Sequence, residues 1–214
     1  MPNERGSGLF VTFEGLDGSG KSTQIRLLAG ALEKLGYAVL QTREPGGTVV
    51  SNAVRELVLD PAHKEMSPRA EALLYNAARA QLVHQVIRPA LAAGTIVLCD
   101  RFGDSTLAYQ GYGHGQPIDE LRAIIHYATG GLRPDVTYLL DIDPELGLGR
   151  KHSGEWDRIE LQALAFHKAT RAGFEALANE DPARWVRLDA TLPVEVLHEQ
   201  ILAHLCPLLP ASRA

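Results

Sequence analysis

The sequence predicts an α/β fold in which a five-stranded parallel sheet is flanked by helices. Five short runs are apolar almost without interruption, which is typical of strands buried on both faces of a parallel sheet. Segments with helical spacing of apolar residues lie between these runs, and such alternation indicates right-handed crossovers. No repeat or Pro/Gly/Ser-rich linker divides the chain, so we expect a single domain over residues 1–214.

The first helical segment, at residues 21–35, follows the first apolar run. Ile25, Leu28, Leu32 and Leu35 fall on one face of it, and Gly36 follows as a stop signal. The five apolar runs themselves, which we assign to strands, occupy residues 9–14, 37–43, 95–100, 136–142 and 184–189.

A second long helical segment lies before the third predicted strand. Ser67 is its expected N-cap, Pro68 fits the first turn and Gly94 ends it. Pro89 is expected to kink this helix. Further helices are predicted at residues 118–129, 160–179 and 193–205.

Composition narrows the range of functions. The net charge of −5 and the pI of about 5.9 disfavour binding to long nucleic acids. No run approaches the roughly 18 apolar residues that cross a bilayer, so we expect no membrane partner. The two cysteines cannot build a disulfide framework, and the N-terminus lacks the apolar core of a signal peptide. We therefore expect a cytoplasmic protein in which Cys99 is a core thiol.

The stretch EGLDGSGKST follows the first predicted strand and opens the first helix. It matches the nucleotide-binding pattern G-x-x-x-x-G-K-[ST] from Gly15 to Ser22. Glycines let backbone N–H groups point at phosphate oxygens, and the helix N-terminus adds positive potential. The alternative is a glycine-rich turn with a chance lysine, which the strand–loop–helix context disfavours. We expect ATP to bind at Gly15, Leu16, Asp17, Gly18, Ser19, Gly20, Lys21, Ser22 and Thr23.

The phosphate acceptor is sought where the other strands end, because ligands of open α/β sheets bind beyond the carboxyl ends of strands. The second strand ends in TREPGGT, the third in CDRFGDSTLAYQGYG and the fourth in LLDIDPE. Each stretch also has a plainer interpretation. The first could be only a turn, the Asp-Arg pair a surface ion pair, and Asp141 and Asp143 caps of the next helix.

These motifs together resemble those of bacterial thymidylate kinases, and the resemblance covers nearly the whole chain. It is carried by FVTFEGLDGSGKST, TREPGGT, ALLYNAARAQ, DRFGDSTLAYQG, LLDIDPE and DRIE, in this order. It implies transfer of the γ-phosphate of ATP to dTMP, with Mg²⁺, by a cytoplasmic homodimer. The implied fold is a P-loop three-layer sandwich with a short lid over residues 146–158.

The resemblance also implies roles for single residues. Arg101 would hold the acceptor phosphate, Tyr75 would stack on thymine and Arg79 would hydrogen-bond the base. Thr106 would face the base edge, and Tyr109 would disfavour ribonucleotides. Without the resemblance, the two tyrosines would more often be core aromatics. The complete implied dTMP site is Asp17, Glu44, Pro45, Tyr75, Arg79, Arg101, Ser105, Thr106, Tyr109 and Gln110.

The metal site implied by the resemblance consists of Ser22, Asp17 and Asp100. Lys21 would reach the β- and γ-phosphates, and Asp17 would lie near both the deoxyribose 3′-hydroxyl and the metal. One departure concerns Ala78, which stands before Arg79 where the family often has an acidic residue. The support of Arg79 is therefore expected to differ.

A further cation is needed to stabilise the transferring phosphoryl group, and the variable P-loop positions hold no arginine. The predicted lid offers Arg150, Lys151 and Arg158, and Gly147, Gly149 and Gly154 would let it move. We expect Arg150 to act, because no acidic residue lies between Glu145 and Glu155 to hold it. Arg158 is the second choice, since Asp157 or Glu160 could hold it. The alternative is a solvated basic turn.

Two other functions stay open at this point. One is a kinase of another nucleotide or deoxynucleoside on the same scaffold, which activity on a nucleotide panel would distinguish. The other is a non-enzymatic P-loop switch, which would leave DRFGDSTLAYQG unexplained.

Overall fold

A sheet of five parallel strands forms the centre of the protein. The computed structural model describes residues 8–150 and 157–210. The strand order is β2-β3-β1-β4-β5, and every neighbouring pair is parallel. The predicted α/β fold and all five strands are thereby confirmed. The strands are β1 (Phe10–Glu14), β2 (Val39–Arg43), β3 (Ile96–Asp100), β4 (Val136–Asp141) and β5 (Trp185–Asp189).

Helices fill the connections and cover both faces of the sheet. On one face α1 packs against α9, while elsewhere α3 contacts α2 and α6. The α-helices among the described residues are α1 (Lys21–Lys34), α2 (Val49–Leu59), α3 (Pro68–Leu82), α4 (Arg88–Ala92), α5 (Gly103–Thr106), α6 (Ile118–Thr129), α7 (Pro144–Arg150), α8 (Leu164–Glu180) and α9 (Val194–Leu205).

The helix expected before β3 is present, with an irregularity in its second half. Ser67 caps it as predicted, since its Oγ accepts a hydrogen bond from the Ala70 amide at 3.2 Å. A π-helical turn, Val83–Ile87, separates α3 from α4 directly before Pro89. A proline in a helix removes a backbone donor and clashes with the preceding turn, so an irregularity at this position is expected.

Two helix predictions need correction. The helix expected from residue 160 begins four residues later, because Asp157 Oδ1 accepts hydrogen bonds from the amides of Ile159 and Glu160 and fixes a turn there. Helix α2 was not predicted at all. It exposes Val49 and Val50, so its apolar residues do not mark its buried face.

The order of the strands fixes where the loops that carry the motifs meet. β1 and β3 are neighbours, with Phe13 in register with Asp100. Both strands are almost fully buried, and Cys99 lies in the core as expected. The P-loop after β1 and the segment after β3 therefore start side by side at one edge of the sheet.

The cap of α3 yields a first prediction. Ser67→Ala removes the side-chain acceptor of the Ala70 amide, which should lower the free energy of unfolding by about 1 kcal/mol. Chemical denaturation of the parent and the variant measures this difference. Because Ser67 is remote from the P-loop, a loss of catalytic activity without loss of stability would contradict this structural role.

Candidate active site

The P-loop closes around the ammonium group of Lys21. Its Nζ donates hydrogen bonds to the carbonyl oxygens of Gly15 and Leu16 at 3.0 and 2.8 Å and to Ser19 Oγ at 3.3 Å. Burial lowers the pKa of Lys21 to about 8, and the positive charge of Arg101 adds to this effect. Lys21 is thus a buried cation at the N-terminus of α1, where the helix dipole also favours anions.

Helix α7 packs directly on the P-loop, and two glycines permit this contact. A Cβ on Gly147 would lie 2.7 Å from the carbonyl oxygen of Asp17, and a Cβ on Gly18 would lie closer still to the Gly147 carbonyl. Gly147 therefore has a packing role against the P-loop, and its role in lid movement stays a prediction. Only a residue without a side chain fits so close to another backbone.

The residues expected to hold a metal lie at the mouth of the P-loop. Ser22 Oγ donates to Asp100 Oδ2 at 2.7 Å, and the cavity beside the loop is lined by Ser22, Asp100 and Asp17. Hydroxyl and carboxylate oxygens suit Mg²⁺, which takes few protein ligands and completes its shell with water and phosphate oxygens. The described residues contain no cluster of three His, Cys, Asp or Glu side chains. A P-loop magnesium site does not need such a cluster.

A second cavity adjoins the first. All ten residues of the implied dTMP site line this second cavity, called the acceptor cavity below, although they come from four separate stretches of the chain. Asp17, Glu44, Arg55 and Arg101 line both cavities, so the two lie side by side and share a wall. The acceptor cavity is lined by Asp17, Glu44, Pro45, Arg55, Leu59, Tyr75, Arg79, Arg101, Ser105, Thr106, Tyr109, Gln110, Asp157 and Ile159.

Arg101 lies where the two cavities meet. Its Nη1 donates to the carbonyl oxygen of Gly15 at 2.9 Å, and its Nη2 forms an ion pair with Asp17 at 2.9 Å. The guanidinium carbon lies 5.0 Å from the centre of the Tyr109 ring. The backbone of Arg101 has a φ of 71°, in the left-handed region that side chains other than glycine disfavour. Strain of this kind typically marks functional sites.

Arg79 is buried and fully engaged by the protein. Nε donates to Glu44 at 2.8 Å, and Nη1 donates to Asn76 and Thr106 at 2.7 and 3.1 Å. Nη2 donates to the carbonyl oxygen of Phe102 at 3.1 Å. The support that the sequence left open beside Ala78 therefore comes largely from Glu44. In this arrangement Arg79 orients Thr106, and a hydrogen bond from Arg79 to the base stays a prediction.

Glu44 carries an unused acceptor in the acceptor cavity. One carboxylate oxygen, Oε2, binds Arg79, whereas the buried Oε1 has no hydrogen-bond partner among the described residues. Burial raises the pKa of Glu44 to about 7, while the Arg79 guanidinium opposes this rise. Glu44 thus has one carboxylate oxygen that orients Arg79 and one buried oxygen without a hydrogen bond to the described residues.

Known proteins resemble this chain over nearly its full length. The family described as Thymidylate kinase matches residues 13–201. A thymidylate kinase of Roseiflexus castenholzii is 53% identical over 94% of each chain, and one of Deinococcus radiodurans is 52% identical over 92% of this chain and 95% of its own. The chain belongs to the thymidylate kinase family. The crystal structure of thymidylate kinase from Ehrlichia chaffeensis superposes with a TM-score of 0.76 at 31% identity, covering 92% of this chain and 98% of that one.

The resemblance seen in the motifs is thereby confirmed, but the two lid cations of this thymidylate kinase family member are not arranged as expected. Arg150 is not free, because its Nη1 donates to the carbonyl oxygen of Ala190, 2.9 Å away beyond β5. Arg158 is buried and is held by neither Asp157 nor Glu160. The catalytic roles of Arg150 and Arg158 stay predictions, and Lys151 and Gly154 lie outside the described residues.

Glu71 is the partner that holds Arg158. Arg158 forms an ion pair with Glu71 Oε2 and donates through Nε to the carbonyl oxygen of Val58 at 2.9 Å. Glu71 Oε1 accepts a hydrogen bond from Gln110 at 2.6 Å. The DRIE segment is therefore part of the wall of the acceptor cavity. Of the two strand-end aspartates, Asp143 caps α7 through the Glu145 amide, in line with the plainer interpretation, whereas Asp141 forms ion pairs with Arg171 and Arg187.

Sequence reasoning missed two arginines of the site. Arg43 lines the P-loop cavity, and Arg55 lines both cavities while its Nη1 donates to the Pro45 carbonyl at 3.1 Å. Arg43 lies in the motif TREPGGT, but the sequence alone indicates no role for it. Arg55 could not be placed, because no helix was assigned to its segment. The N-cap residue Thr48, whose side chain accepts a hydrogen bond from the Ser51 amide, is the signal that could have placed a helix over this segment.

The buried carboxyl of Glu14 predicts a dependence of stability on pH. Burial raises its pKa from 4.5 to about 8, and nearby Asp104 adds to the rise. Between these values the folded state keeps a proton that the unfolded state has lost, so this contribution to stability falls as pH increases. Glu14→Gln should flatten the decline of the unfolding free energy over this range, as measured by denaturation at several pH values. An unchanged slope would show that Glu14 titrates normally.

Proposed function

We propose that this chain transfers the γ-phosphate of ATP to dTMP and so forms dTDP for dTTP synthesis. One observation carries the proposal beyond family membership: the P-loop cavity and the acceptor cavity adjoin, and Asp17 and Arg101 line both of them. A donor phosphate cradled by the P-loop and an acceptor phosphate on Arg101 would therefore lie next to each other. Holding the two reactants in such an arrangement is the main part of catalysis in phosphoryl transfer.

The acceptor cavity suits a pyrimidine deoxynucleotide. Tyr75 would stack on the base, and Leu59 and Ile159 give the cavity apolar surface. Thr106 and Gln110 would bind the edge of the base, since each is oriented by a buried partner on α3. Tyr109 is packed near Phe166 and Phe174, with ring centres 6.1 and 6.0 Å away, so its position is fixed. A fixed ring beside the sugar would exclude a 2′-hydroxyl.

The cations for phosphoryl transfer come from both sides of the junction. Lys21 would exchange its carbonyl partners for the β- and γ-phosphate oxygens, and Arg101 would bind the acceptor phosphate. Arg55 lines both cavities and is well placed for the transferring group. Mg²⁺ would be held by Ser22 and, directly or through water, by Asp100, and it would neutralise phosphate charge.

We also propose a cytoplasmic homodimer, as the family resemblance implies. Helices α2 and α3 expose apolar side chains, with Val50, Leu57 and Leu73 exposed by 52%, 39% and 58%. Such a surface suits an interface between two copies of the chain. Both cysteines are free, which fits a reducing compartment. Among the described residues, no helix combines the length and the apolar character that a bilayer crossing requires.

The substrate assignment predicts a clear order of activities. With ATP and Mg²⁺, dTMP should be phosphorylated fastest, dUMP more slowly, and the ribose form of TMP hardly at all. The missing methyl group of dUMP should cost about 1–3 kcal/mol in kcat/KM. A coupled ADP-release assay with each nucleoside monophosphate, and with thymidine, measures this order. Equal rates with dCMP or dGMP, or a preference for thymidine, would contradict the assignment.

The source of the catalytic cation is tested by a set of single variants. Arg55→Ala should lower kcat by about 10²-fold or more, because a charge on the transferring group acts in the transition state. Arg150→Ala should lower kcat less than this, because its guanidinium binds the Ala190 carbonyl and would have to leave it to reach the phosphates. If Arg150→Ala lowers kcat severely and Arg55→Ala does not, the original lid prediction is correct and the cation arrives by movement of the lid.

A further inference from the structure

Glu14 is a buried carboxylate to which neither the motif nor the proposed function assigns a role. It ends β1, directly before the P-loop, and is 0% exposed. Among the described residues no cation forms an ion pair with it, which is unusual for a fully buried carboxylate. Its place must therefore be explained by the hydrogen bonds that it accepts.

Both oxygens of Glu14 bind the segment that follows Arg101. The Phe102 amide donates to Oε1 at 2.7 Å, and Ser105 Oγ donates to Oε2 at 2.6 Å. The Phe102 amide belongs to the peptide group directly after the left-handed Arg101. The first bond thus fixes the backbone at the strained residue. Both hydrogen bonds favour the ionised form of Glu14 and oppose the effect of burial on its pKa.

The second bond continues through Ser105 to the side chain of Arg101. Arg101 Nη1 donates to Ser105 Oγ at 3.3 Å, while the same nitrogen donates to the Gly15 carbonyl. Because the hydroxyl proton of Ser105 is directed at Glu14, the lone pairs of its oxygen are left for Arg101. Glu14, Ser105 and Arg101 therefore form a relay in which each group fixes the donor or acceptor role of the next.

We propose that Glu14 is a positioning residue for dTMP phosphorylation, which holds Arg101 at the junction of the two cavities through Phe102 and Ser105. The proposal rests on the proposed role of Arg101 as the ligand of the acceptor phosphate. Glu14 itself touches no substrate. Its carboxylate holds the backbone and the side chain of Arg101 at the same time, from a buried strand that is paired on both sides.

Replacement of Glu14 by glutamine tests whether the donor and acceptor roles within the relay matter. A carboxamide has one acceptor oxygen and one donor NH₂ group, whereas both neighbours of Glu14 are donors. If the NH₂ group faces Ser105, the serine hydroxyl must turn its proton towards Arg101. If the NH₂ group faces Phe102, it points at the Phe102 amide N–H group, and two donors cannot form a hydrogen bond with each other. Either orientation displaces Arg101 with almost no change in side-chain volume.

The test compares Glu14→Gln with the parent and with Asp104→Asn. Asp104 is also a buried carboxylate of the same turn, but it binds Arg184 at 2.6 Å and does not line the acceptor cavity. At a pH above 8, Glu14→Gln should lower kcat/KM for dTMP by about 10-fold to 10²-fold, since misplacement by an ångström can cost that much. The KM for ATP should stay within about twofold, because the P-loop contacts of Lys21 are unchanged.

The double variant Glu14→Gln/Ser105→Ala separates positioning from general destabilisation. Without the serine hydroxyl, the carboxamide can keep its oxygen on Phe102 and meets no second donor. The double variant should therefore be about as active as Ser105→Ala alone. Multiplicative losses, equal losses in Glu14→Gln and Asp104→Asn, or a matching rise in the KM for ATP would overturn the proposal.

Two further results keep the test independent of folding and of the proposed function. If Glu14→Gln does not fold, Ser105→Ala alone should still weaken dTMP binding in calorimetry and leave ATP binding unchanged, and the opposite result overturns the relay. If the parent does not phosphorylate dTMP, the proposed function fails. In that case the same calorimetry with dTMP would show whether Arg101 is positioned by Glu14 in a site of binding alone.

Discussion

The carbonyl oxygen of Gly15 is the point on which the arrangement of the site depends. It accepts one hydrogen bond from Lys21 at 3.0 Å and another from Arg101 at 2.9 Å. One cation belongs to the donor loop and the other to the acceptor cavity. Two like charges are thus held together by one backbone dipole, and the carboxylate of Asp17 beside Arg101 compensates for their repulsion. Phosphate groups of two substrates would meet between these cations.

The strand order places the P-loop beside the segment that follows β3, and the two cavities meet there. The chain places β1 beside β3, although some 80 residues separate them, and the register sets Asp100 opposite Phe13. Ligands of open α/β sheets bind where the chain leaves neighbouring strands in different directions. Because both strands are buried, the loops that follow them are anchored to a rigid support. The left-handed backbone of Arg101 is tolerated there because the amides of Arg101 and Phe102 donate hydrogen bonds to Phe13 and Glu14 of β1.

Much of this organisation could be predicted from the sequence. The five strands follow from uninterrupted apolar runs, and the P-loop follows from its glycine spacing. The acceptor residues were assigned only through the family resemblance, and all ten line one cavity. The contacts that were not predicted have no signal in the neighbouring sequence. Arg150 looked free because no acidic residue is near it in sequence, whereas its partner is the backbone of Ala190. Arg158 is bound by Glu71, 87 residues away along the chain.

The same limitation explains why Glu14 and Arg55 went unassigned. In the sequence, Glu14 looks like an ordinary polar residue that marks the end of an apolar strand. Only the structure shows that it accepts hydrogen bonds from Phe102 and Ser105. Arg55 lies on a helix whose apolar residues are exposed, so periodicity did not reveal which side chains face inward. Buried polar contacts between distant segments decide the details of this site, and hydrophobic patterning does not report them.

The central claim is that donor and acceptor phosphates meet at the junction of Lys21, Asp17 and Arg101. The most direct measurement is calorimetric binding of thymidine and adenosine joined through their 5′ oxygens by a chain of phosphates. Because one molecule would occupy both cavities, it should bind far more tightly than dTMP or ATP alone and should be displaced by either. A compound that competes with only one nucleotide, or that binds no more tightly than the better of the two, would contradict the account.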